Sequence, residues 1–433
     1  MNRIVISVLV WSMLFSGVAM AQTADLPSPG ITPGSPFFFL DRFFEGLGGI
    51  FTFGQAAKAR RAVAIAEERL SEARTLAARD DENAQRAVEL YEEKVVEATE
   101  RAQNAQNADA LVRVTEATSK HFAVLEDVIA RVPEQAKASV QRALESSKQG
   151  QVSALQALKG EDPSRAVDAG LAAIKAHAER AKVNAGRGRP EDAQIAANDF
   201  QRVLAAVSDA PRGNAVLAAK FSEELTGVVG GLDEAKDAAL NIPAPVKEKI
   251  NQVKGLAIDA QLASLRELVI EDPTKAVEIF ANAAEGRLNA ARQDAERRNG
   301  SATEESLEDY NKYAEFGSQI SSMAEGIRTG ETTVEDLVKR ATSHHIQVLE
   351  DVRQKLPPQA KQEFQRALDN SRRVQDQRPA IPTPTRPATQ QQRQPTQPVV
   401  PQQQPSIPQT QPEVEREEDD PPAGTPQTPG GRP

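Results

Sequence analysis

Residues 117–148 read ATSKHFAVLEDVIARVPEQAKASVQRALESSK, and residues 341–372 read ATSHHIQVLEDVRQKLPPQAKQEFQRALDNSR. The two stretches lie 224 positions apart and agree at 18 of 32 positions, far beyond what shared helical composition gives. A fainter copy sits midway, where Ile242-Pro243-Ala244-Pro245-Val246-Lys247 echoes Val132-Pro133-Glu134-Gln135-Ala136-Lys137 and Leu356-Pro357-Pro358-Gln359-Ala360-Lys361. A second marker agrees: Glu161-Asp162-Pro163-Ser164-Arg165-Ala166-Val167 returns as Glu271-Asp272-Pro273-Thr274-Lys275-Ala276-Val277. A chain that repeats itself in this way folds as stacked copies of one unit, here a module of about 105 to 114 residues used three times.

The hydrophobic period identifies the unit as helical. Val63, Ala66, Leu70, Ala73 and Ala77 are spaced 3, 4, 3, 4, as are Val88, Tyr91, Val95, Ala98 and Ala102, which places each set on one helix face. Alanine dominates these seams, aromatics are 4% of the chain and β-branched runs are scarce, so little apolar area is buried per residue and stability is spread along the chain. Each module reads as four helices of about 20 to 28 residues, roughly 30 to 40 Å each. In the second they begin near Ser164, Pro190, Asn214 and Ala244, the third interrupted at Gly230-Gly231. In the third they begin near Thr274, Thr303, Thr332 and Pro358. The prolines Pro133, Pro243 and Pro357 break the helix before them and fall in the first turn of the fourth helix, with the preceding Val132, Ile242 and Leu356 buried. The short connections force antiparallel neighbours. The expected class is all-α: tandem antiparallel helical-bundle modules followed by a disordered tail. Heptad-like, coiled-coil-type stretches occur, but the breaks argue against one continuous rod.

The expected organisation is a signal peptide over 1–21, a Pro/Phe-rich segment with a short helix over 22–54, modules over 55–161, 162–271 and 272–373, and a Pro/Gln-rich tail over 374–433. Arg3, the apolar run from Ile4 to Val18 and Ala19-Met20-Ala21 form a secretory signal with a small-residue cleavage site. No later stretch approaches the roughly 20 apolar residues of a membrane span, so none is expected after cleavage. With no cysteine in the chain, disulfides, thiolate metal sites and lipid attachment at cysteine are excluded. The tail holds 15 of the 28 prolines and an acidic run from Glu415 to Asp420, too polar to build a core. The chain is expected to be exported: periplasmic, cell-surface or secreted.

Chemistry is sparse. The net charge of −10 disfavours nucleic acid and anionic lipid as partners. His121 and His345 occupy equivalent positions, each followed five residues later by Glu126 or Glu350. Five residues turn a helix by about 500°, so imidazole and carboxylate diverge. With His177 and His344 they make no metal-ligand spacing; solvated or hydrogen-bonded histidines, no metal and no cofactor are expected. Carboxylate pairs such as Glu67-Glu68 and Glu92-Glu93 are solvated helix faces. Gly186-Arg187-Gly188 and Gly230-Gly231 lack the lysine and strand of a phosphate loop. No catalytic residue stands out, and the reading is a non-enzymatic structural or interaction protein of the cell envelope whose protein partner and oligomeric state the sequence leaves open. Half of the phenylalanines fall between Phe37 and Phe53. Phe37, Phe38, Phe39, Phe43 and Phe44 form either a docking surface for an adaptor or chaperone-like role or a plug over the first module's end.

Gly30-Ile31-Thr32-Pro33-Gly34-Ser35-Pro36-Phe37-Phe38-Phe39-Leu40, Phe51-Thr52-Phe53 and Ala66-Glu67-Glu68-Arg69-Leu70-Ser71-Glu72-Ala73 occur in a telling order. That order resembles a family of exported bacterial and archaeal helical domains of unknown function, which open on a Pro-Gly-x-x-Pro-x-Ser-Pro element, then an aromatic helix, then an Ala-Glu-Glu-Arg-Leu helix. A later helix like His121-Phe122-Ala123-Val124-Leu125-Glu126 ending at Val132-Pro133 extends the resemblance to about Lys148. Gly54-Gln55-Ala56 stands where the family has a charged segment. The resemblance implies a helical fold and export, and no site residues.

Overall fold

The computed structural model describes residues 26–35, 38, 52–237, 242–324, 328–329 and 332–376. Twelve α-helices account for most of them: α1 Gln55–Ala77, α2 Asn83–Ala105, α3 Ala108–Ile129, α4 Glu134–Glu161, α5 Pro163–Gly186, α6 Pro190–Val207, α7 Ala215–Asp237, α8 Ala244–Glu271, α9 Pro273–Glu296, α10 Gly300–Met323, α11 Val334–Lys355 and α12 Lys361–Asp376. Each odd helix pairs with the even helix after it, giving six antiparallel hairpins. Odd helices also pack on the next odd helix and even on the next even, so the hairpins stack in sequence order as two helix layers. The structure is thus all-α tandem repeats, in which the physical step is one hairpin and the repeating sequence spans two.

The breaks between helices follow from local chemistry. Asp162 and Asp272, 110 residues apart, cap α5 and α9 identically: each side chain accepts from a backbone N–H, of Arg165 at 3.1 Å and Lys275 at 2.9 Å, with proline in the first turn. Asp80, Gly188 and Arg298 close the first hairpin of each module in the left-handed region, with φ of 54°, 71° and 57°. The same backbone bond follows each, from Asp81 to Leu76, Arg189 to Asn184 and Asn299 to Asp294, a bond that satisfies helix-end carbonyls. Only the middle copy uses glycine there. The second hairpin of each module turns at Pro133, Pro243 or Pro357, whose ψ values of 155°, 143° and 148° are extended. The proline is the residue before the helix rather than within its first turn. Val132 and Ile242 beneath it are buried, but Leu356 is only half-buried, because a 3₁₀ turn at Pro358–Ala360 delays α12 to Lys361.

One further expectation is corrected. Helix α7 runs unbroken through Gly230-Gly231, because its other face buries Leu225, Val228, Val229 and Leu232 and tertiary burial outweighs glycine's roughly 1 kcal/mol helix penalty. The third module adds a two-residue ladder, Arg328–Thr329 with Thr332–Thr333, before α11. Thr333 then caps α11, its Oγ1 accepting from Asp336 N–H at 3.1 Å and its own N–H donating to the Asp336 carboxylate at 3.3 Å.

Small residues set the helix spacing. A Cβ on Gly170 of α5 would sit 2.6 Å from Val207 of α6, and one on Gly317 of α10 would sit 2.8 Å from Phe280 of α9. Gly230 and Gly231 have nothing within 4 Å of such an atom. Gly170→Val is therefore expected to destabilise by about 1–3 kcal/mol through overpacking. Gly230→Ala is expected to stabilise by several tenths of a kcal/mol through helix propensity. Urea unfolding followed by circular dichroism measures both.

Candidate interaction seams

Within the first module, Tyr91 of α2, His121 of α3 and Ser147 of α4 meet out of solvent. The Tyr91 hydroxyl lies 3.0 Å from His121 Nδ1 and 2.6 Å from Ser147 Oγ, and Ser147 donates to the Ala143 carbonyl at 2.8 Å. With the serine proton so used, the satisfying arrangement has Tyr91 donating to Ser147 and His121 Nδ1–H donating to Tyr91. His121 Nε2 is left without a partner. Burial drives the imidazole down to about 3, with the Arg113 and Lys120 charges adding to the shift. The third module repeats the cluster: Tyr310 lies 2.6 Å from Ser371 Oγ, and the His345 ring stands edge-on to Tyr310 with centroids 5.7 Å apart. His345 Nε2–H donates to the Ala281 carbonyl at 3.3 Å, and burial lowers its pKa to about 4. In the middle module Phe200 and Ala257 stand 109 and 110 residues on from Tyr91 and Ser147. An all-apolar middle copy marks the cluster as packing, since chemistry would need the hydroxyls and imidazole in place.

Between modules, each seam carries a charged network. Glu126 of α3 and Asp199 of α6 both bind Arg180 of α5, at 2.7 and 3.0 Å, and Lys148 of α4 binds Asp199 at 3.0 Å. Gln151 of α4 bridges from Ser119 Oγ at 2.6 Å to His177 Nε2 at 3.1 Å. Burial, then the Arg180 and Lys148 charges, hold His177 well below the ordinary imidazole range, and burial raises Glu126. The next seam is built alike. Asp233 of α7 binds Arg287 of α9, and Lys254 of α8 binds Asp233 at 3.0 Å, Asp309 of α10 at 2.8 Å and Glu305. Gln261 accepts from the Tyr313 hydroxyl at 2.5 Å. Burial opposes ionisation here, yet the Arg287 and Lys254 charges hold Asp233 below the usual carboxylate range, while burial raises Asp309. Lys254 is 2% exposed and its pKa is raised, the three carboxylates outweighing burial. Glu126 and Asp233, Gln151 and Gln261, and Asp199 and Asp309 lie 107, 110 and 110 residues apart, so these are equivalent positions.

At the chain's start the seam faces its own N-terminal segment. A Cβ on Gly30 would lie 2.1 Å from Glu68 Oε1 and 3.3 Å from Glu72 Oε1, and one on Gly34, at φ 94°, would lie 2.7 Å from Asn83 Nδ2. Arg69 and Glu72 form a fully buried pair at 2.5 Å, and the Phe38 ring centroid sits 5.2 Å from the Arg69 guanidinium carbon. The Pro-Gly element thus packs against the Ala-Glu-Glu-Arg-Leu helix. Phe37, Phe39, Phe43 and Phe44 lie outside the described residues; Phe38 is half-buried and Phe53 is 83% exposed. An open cleft of about 400 Å³ lies beside Asp81, Asn83, Arg86, Glu89 and Pro133.

Among the described residues no group of three His, Asp or Glu side chains is placed to hold a metal ion, and no helix is long and apolar enough to cross a membrane. His121, His177 and His345 are buried and hydrogen-bonded, whereas His344 is exposed beside Glu285 at 3.5 Å. Sequence reasoning passed over Lys148, Arg180, Asp199, Lys254 and Arg287. The available signal was the return of Gln151 and Asp199 at the 110-residue offset.

Residues 30–135 match DUF5667, a domain of unknown function. No curated protein matches the chain. Among solved structures the chain is similar to a "Circular tandem repeat protein with novel repeat topology and enhanced subunit contact surfaces", at 15% identity and TM-score 0.52, covering 77% of this chain and 74% of that one. A second match, "Computational Design of Self-Assembling Cyclic Protein Homooligomers", has 12% identity and TM-score 0.19, over 73% and 94% of the two chains. The first likeness supports a tandem helical repeat fold and nothing finer.

Two outcomes are expected of these seams. The buried imidazoles protonate near pH 6.5 when unfolded but, for His121 and His345, only near 3 and 4 when folded. The unfolded state therefore binds more protons between those limits, so their contribution is constant above about pH 6.5 and falls as pH drops below it, by about 1.4 kcal/mol per pH unit per histidine. Replacing His345→Asn should make the loss of stability between pH 6.5 and 4.5 shallower by about one proton in urea titrations. Lys254→Met strands buried carboxylates and is expected to cost about 3–5 kcal/mol. Lys312→Met, which breaks a mostly exposed pair with Asp259, should cost less than about 1 kcal/mol.

Proposed function

We propose that this chain is a non-catalytic interaction scaffold of the cell envelope, exported behind a cleaved signal at residues 1–21. The observation that carries the scaffold reading is where the reactive side chains go. All three tyrosines, Tyr91, Tyr310 and Tyr313, and the histidines 121, 177 and 345 are consumed in helix–helix contacts. What remains for function is the extended surface of stacked helices, the kind of surface helical repeat proteins use to bind other proteins. The apolar run and the small-residue site at Ala19-Met20-Ala21 support export. Cell fractionation with N-terminal sequencing of the mature protein tests it: a chain found in the envelope or medium and beginning at Gln22 is expected, and an unprocessed cytosolic chain refutes export.

A second reading gives residues 36–53 the docking role. It is favoured by Phe53, which is left in solvent and belongs to the aromatic run. Deletion of 36–53 should then abolish partner capture and leave the helical circular dichroism signal proportional to the remaining chain. A larger loss of helicity would make the segment part of the first module's core.

A further inference from the structure

The seams between modules follow a rule that the last module also obeys, though no described residue follows it. At the end of the first module the receiving face is an acid, a glutamine and a base: Glu126, Gln151 and Lys148. At the end of the second it is Asp233, Gln261 and Lys254. The incoming hairpin answers each acid with a guanidinium, Arg180 or Arg287, and each base with a carboxylate, Asp199 or Asp309. The end of the third module carries the set again. Glu350, Gln375 and Arg372 stand 224 residues on from Glu126, Gln151 and Lys148. The internal wiring is the same too: Gln375 Nε2 donates to Ser343 Oγ at 2.9 Å, as Gln151 does to Ser119 at 2.6 Å.

The difference lies in what covers them. The Glu126 side chain is 11% exposed under Arg180, whereas that of Glu350 is 37% exposed and, among the described residues, pairs with Arg353 of its own helix. Ile346 is half-buried where Phe122 is buried, and Arg372 and Asp369 are exposed where Lys148 and Glu145 meet Asp199 and Arg202. We infer that the outer face of α11 and α12 is a docking site for a helical hairpin of a partner protein, one that sets an arginine against Glu350 and a carboxylate against Arg372. Charge complementarity argues against the chain's own first hairpin as that occupant. Counting back 108 or 109 residues, Glu72 stands at the place of Arg180, Leu90 at Asp199 and Glu93 at Arg202. A second copy would bring Glu72 to Glu350 and Glu93 to Asp369, and its Arg69–Glu72 pair is already buried beneath residues of its own chain. The inference rests on the scaffold reading and names its binding face.

The test uses the full mature chain and, as probe, a labelled synthetic peptide copying residues 162–208, which carry His177, Arg180, Asp199 and Arg202. Saturable binding is expected in fluorescence anisotropy, weakened about tenfold or more by Glu350→Arg and recovered when the peptide carries Arg180→Glu. Unchanged thermal melts of Glu350→Arg, a change at a half-buried position, separate loss of the face from loss of the fold. Binding that ignores Glu350→Arg, or no saturable binding, overturns the inference. So does a concentration-dependent dimer in sedimentation that Glu350→Arg abolishes, which would make a second copy the occupant. None of these results touches export, which fractionation decides separately.

Discussion

Alanine sets the terms of this structure. Its methyl buries far less area than a leucine or phenylalanine side chain, so one hairpin lined by Ala59, Ala62, Ala66, Ala98 and Ala102 depends on the face it stacks against to offset the entropy of ordering two long helices. The same small side chain lets helices approach closely, as Gly170 against Val207 and Gly317 against Phe280 do without a Cβ at all. The solution is to stack: each internal hairpin is covered on both sides, and the core becomes a continuous sheet of contacts between two helix layers. Stability of that kind is a sum over neighbours, so no single module owns it, and the first and last hairpins are the special cases.

The end hairpins are treated differently. The first is closed by residues of the chain itself: Gly30 and Gly34 lie against Glu68, Glu72 and Asn83, and Arg69 and Glu72 neutralise one another where His177 and Arg287 of later modules instead meet a preceding hairpin. This accounts for why the Pro-Gly element and the Ala-Glu-Glu-Arg-Leu helix occur together in sequence. They are two halves of one contact: Gly30 lies against the Glu68 and Glu72 carboxylates of that helix, and Gly34, beside Asn83 at the start of α2, takes a φ of 94° that favours glycine.

The repeat, the helical class and most helix starts were legible because each is written in local chemistry: Asp-Pro caps at 162 and 272, prolines at 133, 243 and 357, and a 3.6-residue apolar period. The misjudged points are places where distant contacts outweigh local propensity. Gly230-Gly231 looked like a break, yet α7 continues because Val228, Val229 and Leu232 are buried by neighbours whose position no local pattern reveals. Leu356, unlike Val132 and Ile242, is half-buried, because the 3₁₀ turn from Pro358 moves the helix start beneath it. The seam charges were invisible for another reason. In a chain that is 26% charged, Lys254 and Arg180 look like any solvated helix residue, and only the fold shows which ones lose their water.

Those seam charges distinguish one module's mating face from the next. Burying Lys254 among Asp233, Glu305 and Asp309 gains little over an apolar seam of the same volume; what it adds is discrimination. The two seams share their acid, glutamine and receiving aspartate, but the base differs. The place of Lys148 is taken by Ile258 in the second module, and Lys254 stands four residues earlier, about one helical turn or 5.4 Å away. Docking the third module's first hairpin where the second's belongs would set Glu305, which Lys254 answers, against a face where Leu144 stands in the place of Lys254 and Lys148 lies one turn further along. A buried carboxylate without its cation costs several kcal/mol, enough to reject a wrong register among hairpins whose alanine surfaces are otherwise interchangeable.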